Sequence, residues 1–130
     1  KIMKKLLYLG IVLILGSCGS STVNVDGREV STIKIGNLEV MTEDLGRMNW
    51  YEAKKACKNL GDGWRLPTKD ELNLLFQNSG KIGGFASNFY WSSTEFDSND
   101  AWSQYFGNGN QDFFNKVSSY GGTVRAVRAF

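Results

Sequence analysis

Asn49-Trp50-Tyr51-Glu52-Ala53-Lys54-Lys55-Ala56-Cys57, followed by Leu60-Gly61 and then Gly63-Trp64-Arg65-Leu66-Pro67-Thr68, carries the signals that set the fold. Asn49 stands where a helix cap belongs, and Glu52 three residues later closes a capping box, in which each residue satisfies a backbone N–H of the other. Ala53, Ala56, Cys57 and Leu60 recur at helical spacing and predict one apolar stripe. Gly61 is placed to end this helix in a left-handed conformation. The pattern then repeats. Thr68 caps, Glu71 follows three residues later, and Leu72, Leu75 and Phe76 form the second stripe. Pro67, the only proline in the chain, fixes an extended approach to that cap.

On the amino-terminal side, Thr22-Val23-Asn24-Val25 and Arg28-Glu29-Val30 flank Asp26-Gly27, a dipeptide suited to a two-residue hairpin turn with positive φ at both positions. Ile33-Lys34-Ile35 and Leu38-Glu39-Val40 alternate around Gly36-Asn37, a second hairpin signal. On the carboxy-terminal side the composition changes. From Phe85 to Phe130 Lys116 is the one lysine and Glu95 the one glutamate, and Phe, Tyr, Trp, Ser, Asn and Gly dominate. Strand-like runs cover Phe89 to Thr94, Ala101 to Phe106 and Thr123 to Phe130, with a turn at Gly107-Asn108-Gly109. Strands, two helices and strands again predict an α+β domain, with two helices packed on short antiparallel strands.

The chain opens Lys1-Ile2-Met3-Lys4-Lys5, followed by an apolar run from Leu6 to Leu15 and then Gly16-Ser17-Cys18. A basic start, a short apolar centre and small residues predict a secretory signal over residues 1–17. The run is shorter than the roughly 20 apolar residues of a membrane helix. Leu15-Gly16-Ser17-Cys18 resembles the bacterial lipoprotein cleavage box, which implies lipidation of Cys18. The implied setting is the bacterial cell envelope, on the outer membrane or cell surface. Residues 18–22 are expected to be a tether and residues 23–130 the folded domain.

Without Lys1, Lys4 and Lys5 the chain keeps 12 basic and 13 acidic side chains, a net charge of −1. No concentrated basic face points to a nucleic-acid partner. Histidine is absent, which removes the usual general base and the commonest metal ligand. With Cys18 lipidated, Cys57 is alone and is expected to be a small buried apolar residue. No catalytic residue, metal site or cofactor is expected.

The quoted helix and the Gly63-to-Thr68 segment, with Glu71 and Leu72, resemble C-type-lectin-like domains. Within them the nearest branch holds the formylglycine-generating-enzyme-like proteins and the Fibrobacter major paralogous domain, whose opening Ile35-Gly36 through Met41 to Leu45 also resembles. Tyr90-Trp91-Ser92-Ser93-Thr94-Glu95, Ala101-Trp102, Asn108-Gly109, Lys116 and Val124-Arg125-Ala126-Val127-Arg128-Ala129-Phe130 resemble the variable proteins of diversity-generating retroelements. In those systems adenine-specific errors in copying a template rewrite codons for a ligand-binding face. Template codons AAC or AAT become codons ending in a pyrimidine, which never encode Lys, Glu, Gln, Met or Trp. Phe96 to Asp100, Asp112 to Asn115 and Val117 to Thr123 obey this rule. Gln111 and Lys116 break it and would belong to the fixed framework.

The resemblance implies a binding face made of Phe96, Asp97, Ser98, Asn99, Asp100, Ser103, Tyr105, Gly107, Asp112, Phe113, Phe114, Asn115, Val117, Ser118, Ser119 and Tyr120. Its ligand would be a protein or a glycan. Aromatic side chains give large contact area at low entropic cost, and Ser, Gly and Asn adapt their hydrogen bonds, as in antibody paratopes. Phe96, Tyr105, Phe113, Phe114 and Tyr120 are the expected anchors. Trp91, Trp102 and Phe106 are expected in the core. In a strand, adjacent Phe113 and Phe114 would face opposite sides. Phe114→Ala and Tyr120→Ala are both expected to leave the melting temperature nearly unchanged.

Formylglycine-generating enzymes use a cysteine pair near their active site that the mature domain lacks, and calcium-dependent lectins carry a proline in a sugar loop, where Pro67 does not lie. Glu95, Asp97 and Asp100 offer oxygen ligands, but no regular calcium loop surrounds them. Arg125 and Arg128 fit a framework role, as a buried ion pair and along the sheet. Their sharper alternative is an arginine fork for an anionic ligand such as a sulfated glycan. The rival functional class is a fixed adhesive or structural lipoprotein, binding a surface glycan or another copy of itself; a degenerate enzyme of the formylglycine-generating type comes third.

Overall fold

The computed structural model describes residues 20–118, 120 and 122–130. Cys18, the segment 1–17 and Ser119 lie outside them. The domain is α+β. Among the described residues the strands are β1 (Ser20–Val25), β2 (Arg28–Ile35), β3 (Leu38–Met41), β4 (Phe89–Glu95), β5 (Asp100–Tyr105), β6 (Gln111–Asn115) and β7 (Val127–Ala129). Between β3 and β4 come α1 (Trp50–Asn59), α2 (Lys69–Gln77) and a single turn, α3 (Ser79–Ile82).

The strands form two antiparallel sheets, one in the order β1-β2-β3-β7 and the other β4-β5-β6. In the first hairpin Asp26 and Gly27 both take positive φ, 51° and 79°, the conformation a type I′ turn requires. Chain closure comes from the carboxy terminus, where β7 pairs with β3 and the Arg65 and Val127 backbones exchange two hydrogen bonds of 2.9 Å.

Both predicted capping boxes form. The Asn49 side chain accepts from the Glu52 N–H and the Glu52 carboxylate accepts from the Asn49 N–H; Thr68 and Glu71 do the same. The helices bury their stripes in different clusters. Ala53 and Cys57 of α1 join Val25, Val30, Met41, Trp64, Leu66, Trp91, Ala101, Val124 and Ala126. Leu72 and Leu75 of α2 join Ile35, Leu38, Val40, Ile82, Tyr90 and Val127. Cys57 is fully buried, and desolvation pushes its thiol up to about 12, so it is an inert core residue.

Buried polar groups tie the sheets to the loops. Arg125, with no exposed surface, donates from Nε to Asp44 at 2.9 Å and from Nη1 to the Met41 and Gly83 carbonyls at 3.0 Å, and its guanidinium lies over the Phe85 ring. The Tyr90 hydroxyl donates to the other Asp44 oxygen at 2.9 Å, and burial pushes Tyr90 up to about 12. Arg128 pairs with Glu39 at 2.9 Å and covers the Trp64 ring. Both arginines have the partners of a framework role.

Two features differ from expectation. Gln111–Asn115 is a strand, β6, which its sequence does not announce. Trp102, expected in the core, is half-buried on the outer face of β5; Phe106 is also half-buried, packed against Phe76, Phe85 and Tyr90.

Candidate functional site

Register fixes which side chains share a face of the β4-β5-β6 sheet. Trp102 lies opposite Phe113, Asp100 opposite Asn115, and Gln104 opposite Gln111. These residues form the outer face, because side chains of paired residues point the same way and alternate along a strand. Helix α2 covers part of it. Gln104 is buried there, donating to Asn73 of α2 and to the Gly109 carbonyl, both at 2.9 Å.

Cover stops at Lys69, the first residue of α2, whose ammonium sits 3.6 Å from the Trp102 ring centroid. Beyond it the sheet is open. Phe96 and Phe113 stack there with centroids 3.9 Å apart and planes 2° from parallel. Trp102 meets both edge-on, at 5.6 Å and 5.5 Å. Phe96 is 47% exposed and Phe113 38% exposed, so three aromatic rings from two strands and a loop make one apolar patch facing solvent.

The loop that carries Phe96 is held in place. Asp97 Oδ1 accepts from the Asn99 and Asp100 N–H groups at 2.8 Å and 2.7 Å, and the Phe96 N–H donates to the Asp100 carbonyl at 2.9 Å. Lys116, 3% exposed, reaches in from the end of β6. Its ammonium donates to Glu95 at 2.5 Å and to the Asp97 and Ser98 carbonyls at 3.0 Å. That hydrogen bond and charge hold the Glu95 carboxyl below its usual range. The Glu95 and Asp97 carboxylates therefore serve the loop itself. Among the described residues no three His, Cys, Asp or Glu side chains gather into a metal-ligand group.

The inner face of the same sheet turns toward the core. Trp91 lies opposite Ser103, and Phe89 opposite Tyr105. Phe114 packs against the first core cluster and meets Phe89 edge-on at 4.7 Å; Tyr105 leans on Phe89 at 5.1 Å.

The expected face is thus divided. Phe96 to Asp100, Phe113 and Asn115 belong to the outer face and its loop. Tyr105 and Phe114 are half-buried on the other side. Ser103 is a correction: it is 1% exposed, because β5 alternation turns it inward beside Trp91, so its side chain is not displayed. Phe114 needs a smaller one, since its ring supports the core and its removal costs stability. A Cβ at Gly107 would run into the Tyr105 ring. Asp112 is exposed, and Val117 and Tyr120, at 72% and 74%, project from the loop after β6 with half-buried Ser118. Trp102 and Lys69 complete the patch and were not among the expected residues; the Trp102–Phe113 pairing that reveals them exists only once β6 forms.

The profile of the Lcl C-terminal domain matches residues 27–128, which takes in β2 through β7 with α1, α2 and α3. The chain belongs to the Lcl C-terminal domain family. No curated protein matches it. The family span contains the aromatic patch, the Lys116 clamp and the buried Arg125–Asp44 pair. In this Lcl C-terminal domain, stability rests on residues facing the two cores, and the patch lies outside both.

Proposed function

We propose that this Lcl C-terminal domain is a ligand-binding module of C-type-lectin-like fold, displayed on the bacterial envelope through a lipid on Cys18, and not an enzyme. Its binding face is centred on Phe96, Trp102 and Phe113, flanked by Asp97 to Asp100, Asp112 and Asn115. One observation carries this reading: a stacked aromatic pair stands exposed, Phe113 on β6 and Phe96 on a loop that Lys116 holds in place. Exposed aromatic clusters of this kind mark recognition sites, and rigid anchors avoid the entropic cost of ordering on binding. The ligand is a protein or a glycan. Nucleic acid is disfavoured by the balance of charge.

The test pairs binding with stability. The purified domain is screened on glycan and protein arrays, and each hit is remeasured with Phe96→Ser/Phe113→Ser. A hot-spot aromatic contributes about 2 kcal/mol or more. Binding should therefore fall at least about 30-fold, with the melting temperature within a few degrees of the parent. A variant that binds as the parent does rejects the patch as the site. Lipidation is tested separately: Cys18→Ser should abolish incorporation of labelled palmitate.

Diversification by a retroelement is the finer form of this reading. A neighbouring reverse-transcriptase gene, with a near-copy of the gene's end carrying adenines at the codons for Phe96 to Asp100 and Asp112 to Asn115, would support it. A second reading, a fixed adhesive face, is favoured by the inward positions of Ser103 and Phe114. Free replacement there would damage packing, so any diversified set would have to exclude them.

A further inference from the structure

A concavity that includes none of the patch residues lies between α1 and the extended segment that leads into α2. It holds about 230 Å³ and is lined by Lys54, Lys58, Trp64, Arg65, Leu66 and Ser93. Its floor is apolar: Trp64 and Leu66 are buried, and the hydrogen bonds between Arg65 and Val127 pin the segment that carries them. Arg65 is already engaged, its two terminal guanidinium nitrogens donating to the Glu71 carboxylate at 2.7 Å and 3.0 Å. Lys54 lies over the Trp50 ring, its ammonium 4.4 Å from the centroid. Lys54 and Lys58 stand one helical turn apart on the same face of α1, and among the described residues neither forms an ion pair. On the opposite side, the Ser93 N–H donates to the Pro67 carbonyl at 2.8 Å, and no described residue hydrogen-bonds the Ser93 hydroxyl.

We infer that this concavity binds a small amphipathic carboxylate, an apolar ring bearing one anionic group. The ring would lie on Trp64 and Leu66. The carboxylate would sit between the two ammonium groups, with the Ser93 hydroxyl as a further donor. Charge complementarity selects the occupant. Two adjacent cations with no ion-pair partner among the described residues, over an apolar floor, match a single anionic group with an apolar body. This site is independent of the aromatic patch, and either can fail without the other.

The test is an amide-resolved NMR titration of the chain with phenylacetate, with neutral phenylacetamide and with inorganic sulfate. Phenylacetate should give saturable shifts at Trp64, Leu66, Ser93 and Lys54. Phenylacetamide and sulfate should each bind at least about tenfold more weakly, because one lacks the charge and the other the apolar body. Lys54→Gln/Lys58→Gln should weaken phenylacetate about tenfold or more while leaving the melting temperature and the patch resonances of Phe96 and Phe113 unchanged. Equal binding of phenylacetamide overturns the role of the lysines, and equal binding of sulfate overturns the role of the floor. No saturable shift, or shifts centred on Trp102 and Phe113, overturns the site itself.

Discussion

Trp91 and Trp102 sit on adjacent strands of one sheet and have opposite fates. Trp91, opposite Ser103 on the inner face, has no exposed surface and donates its indole N–H to the Met48 carbonyl at 2.9 Å. Trp102, one residue before Ser103 and therefore on the outer face, is half-buried under Lys69 and borders two exposed phenylalanines. Residue type does not separate them. The layer lying over each face does: α1 and the first sheet close over the inner face, whereas α2 ends its cover of the outer face at Lys69. A β-sheet that is covered fully on one side and partly on the other becomes a scaffold and a display surface at once.

Truncating the covered side should produce the largest effect. Trp91→Ala should cost about 3–5 kcal/mol, enough to unfold a marginal domain of this size, as followed by thermal or urea unfolding. A loss below about 1 kcal/mol would break the distinction between the faces. Ser103→Tyr comes next. It forces a ring into the space beside Trp91 and should cost about 1–3 kcal/mol by overpacking. A stable Ser103→Tyr protein with altered ligand binding would return this position to the displayed set.

Acid should weaken the framework by smaller steps. Arg65 hydrogen bonding holds Glu71 below its ordinary value of 4.5 against some burial. Burial pushes Glu39 up, but hydrogen bonds from Thr32, Arg128 and Ser21 outweigh it and leave it lowered. A lowered folded-state pKa means stability that is present above the unfolded value and lost as pH falls through the folded one. Melting temperature should therefore hold down to about pH 5 and fall below pH 4, and Glu71→Gln should flatten that fall. At the alkaline end Tyr90 and Cys57, both raised to about 12, reverse the sign: stability holds below pH 9 and is lost as pH climbs toward 12. Smallest of all is Tyr120→Ala on the exposed loop, which should change stability by no more than about 0.5 kcal/mol. A larger loss would give that loop a structural role.

Much of the fold was legible because its signals are local. The two capping boxes, the Asp26-Gly27 turn and the helical stripes, which bury Ala53 and Cys57 and Leu72 and Leu75, each depend on residues within a few positions of one another, and each formed as the spacing predicts. The candidate site was half legible. Phe96 and Phe113 could be chosen as exposed aromatics from a stretch poor in charge. Trp102 could not, because a tryptophan on a predicted strand reads as core whichever face it occupies. Gln111–Asn115 has no apolar alternation of its own; it becomes a strand because β5 supplies its hydrogen bonds. The short turn Ser79–Ile82 also went unannounced, lacking any side-chain cap.

The sequence by itself determined the α+β order, the caps and turns that start and stop each element, and the apolar stripes that must be buried, since these follow from backbone geometry and near-neighbour chemistry. Only the tertiary structure decided which face of β5 is covered, that Ser103 turns inward while Trp102 turns out, and that Lys116 reaches across to fix the loop bearing Phe96. Those outcomes depend on contacts between residues far apart in the chain, and burial is a property of what packs over a side chain rather than of the side chain itself.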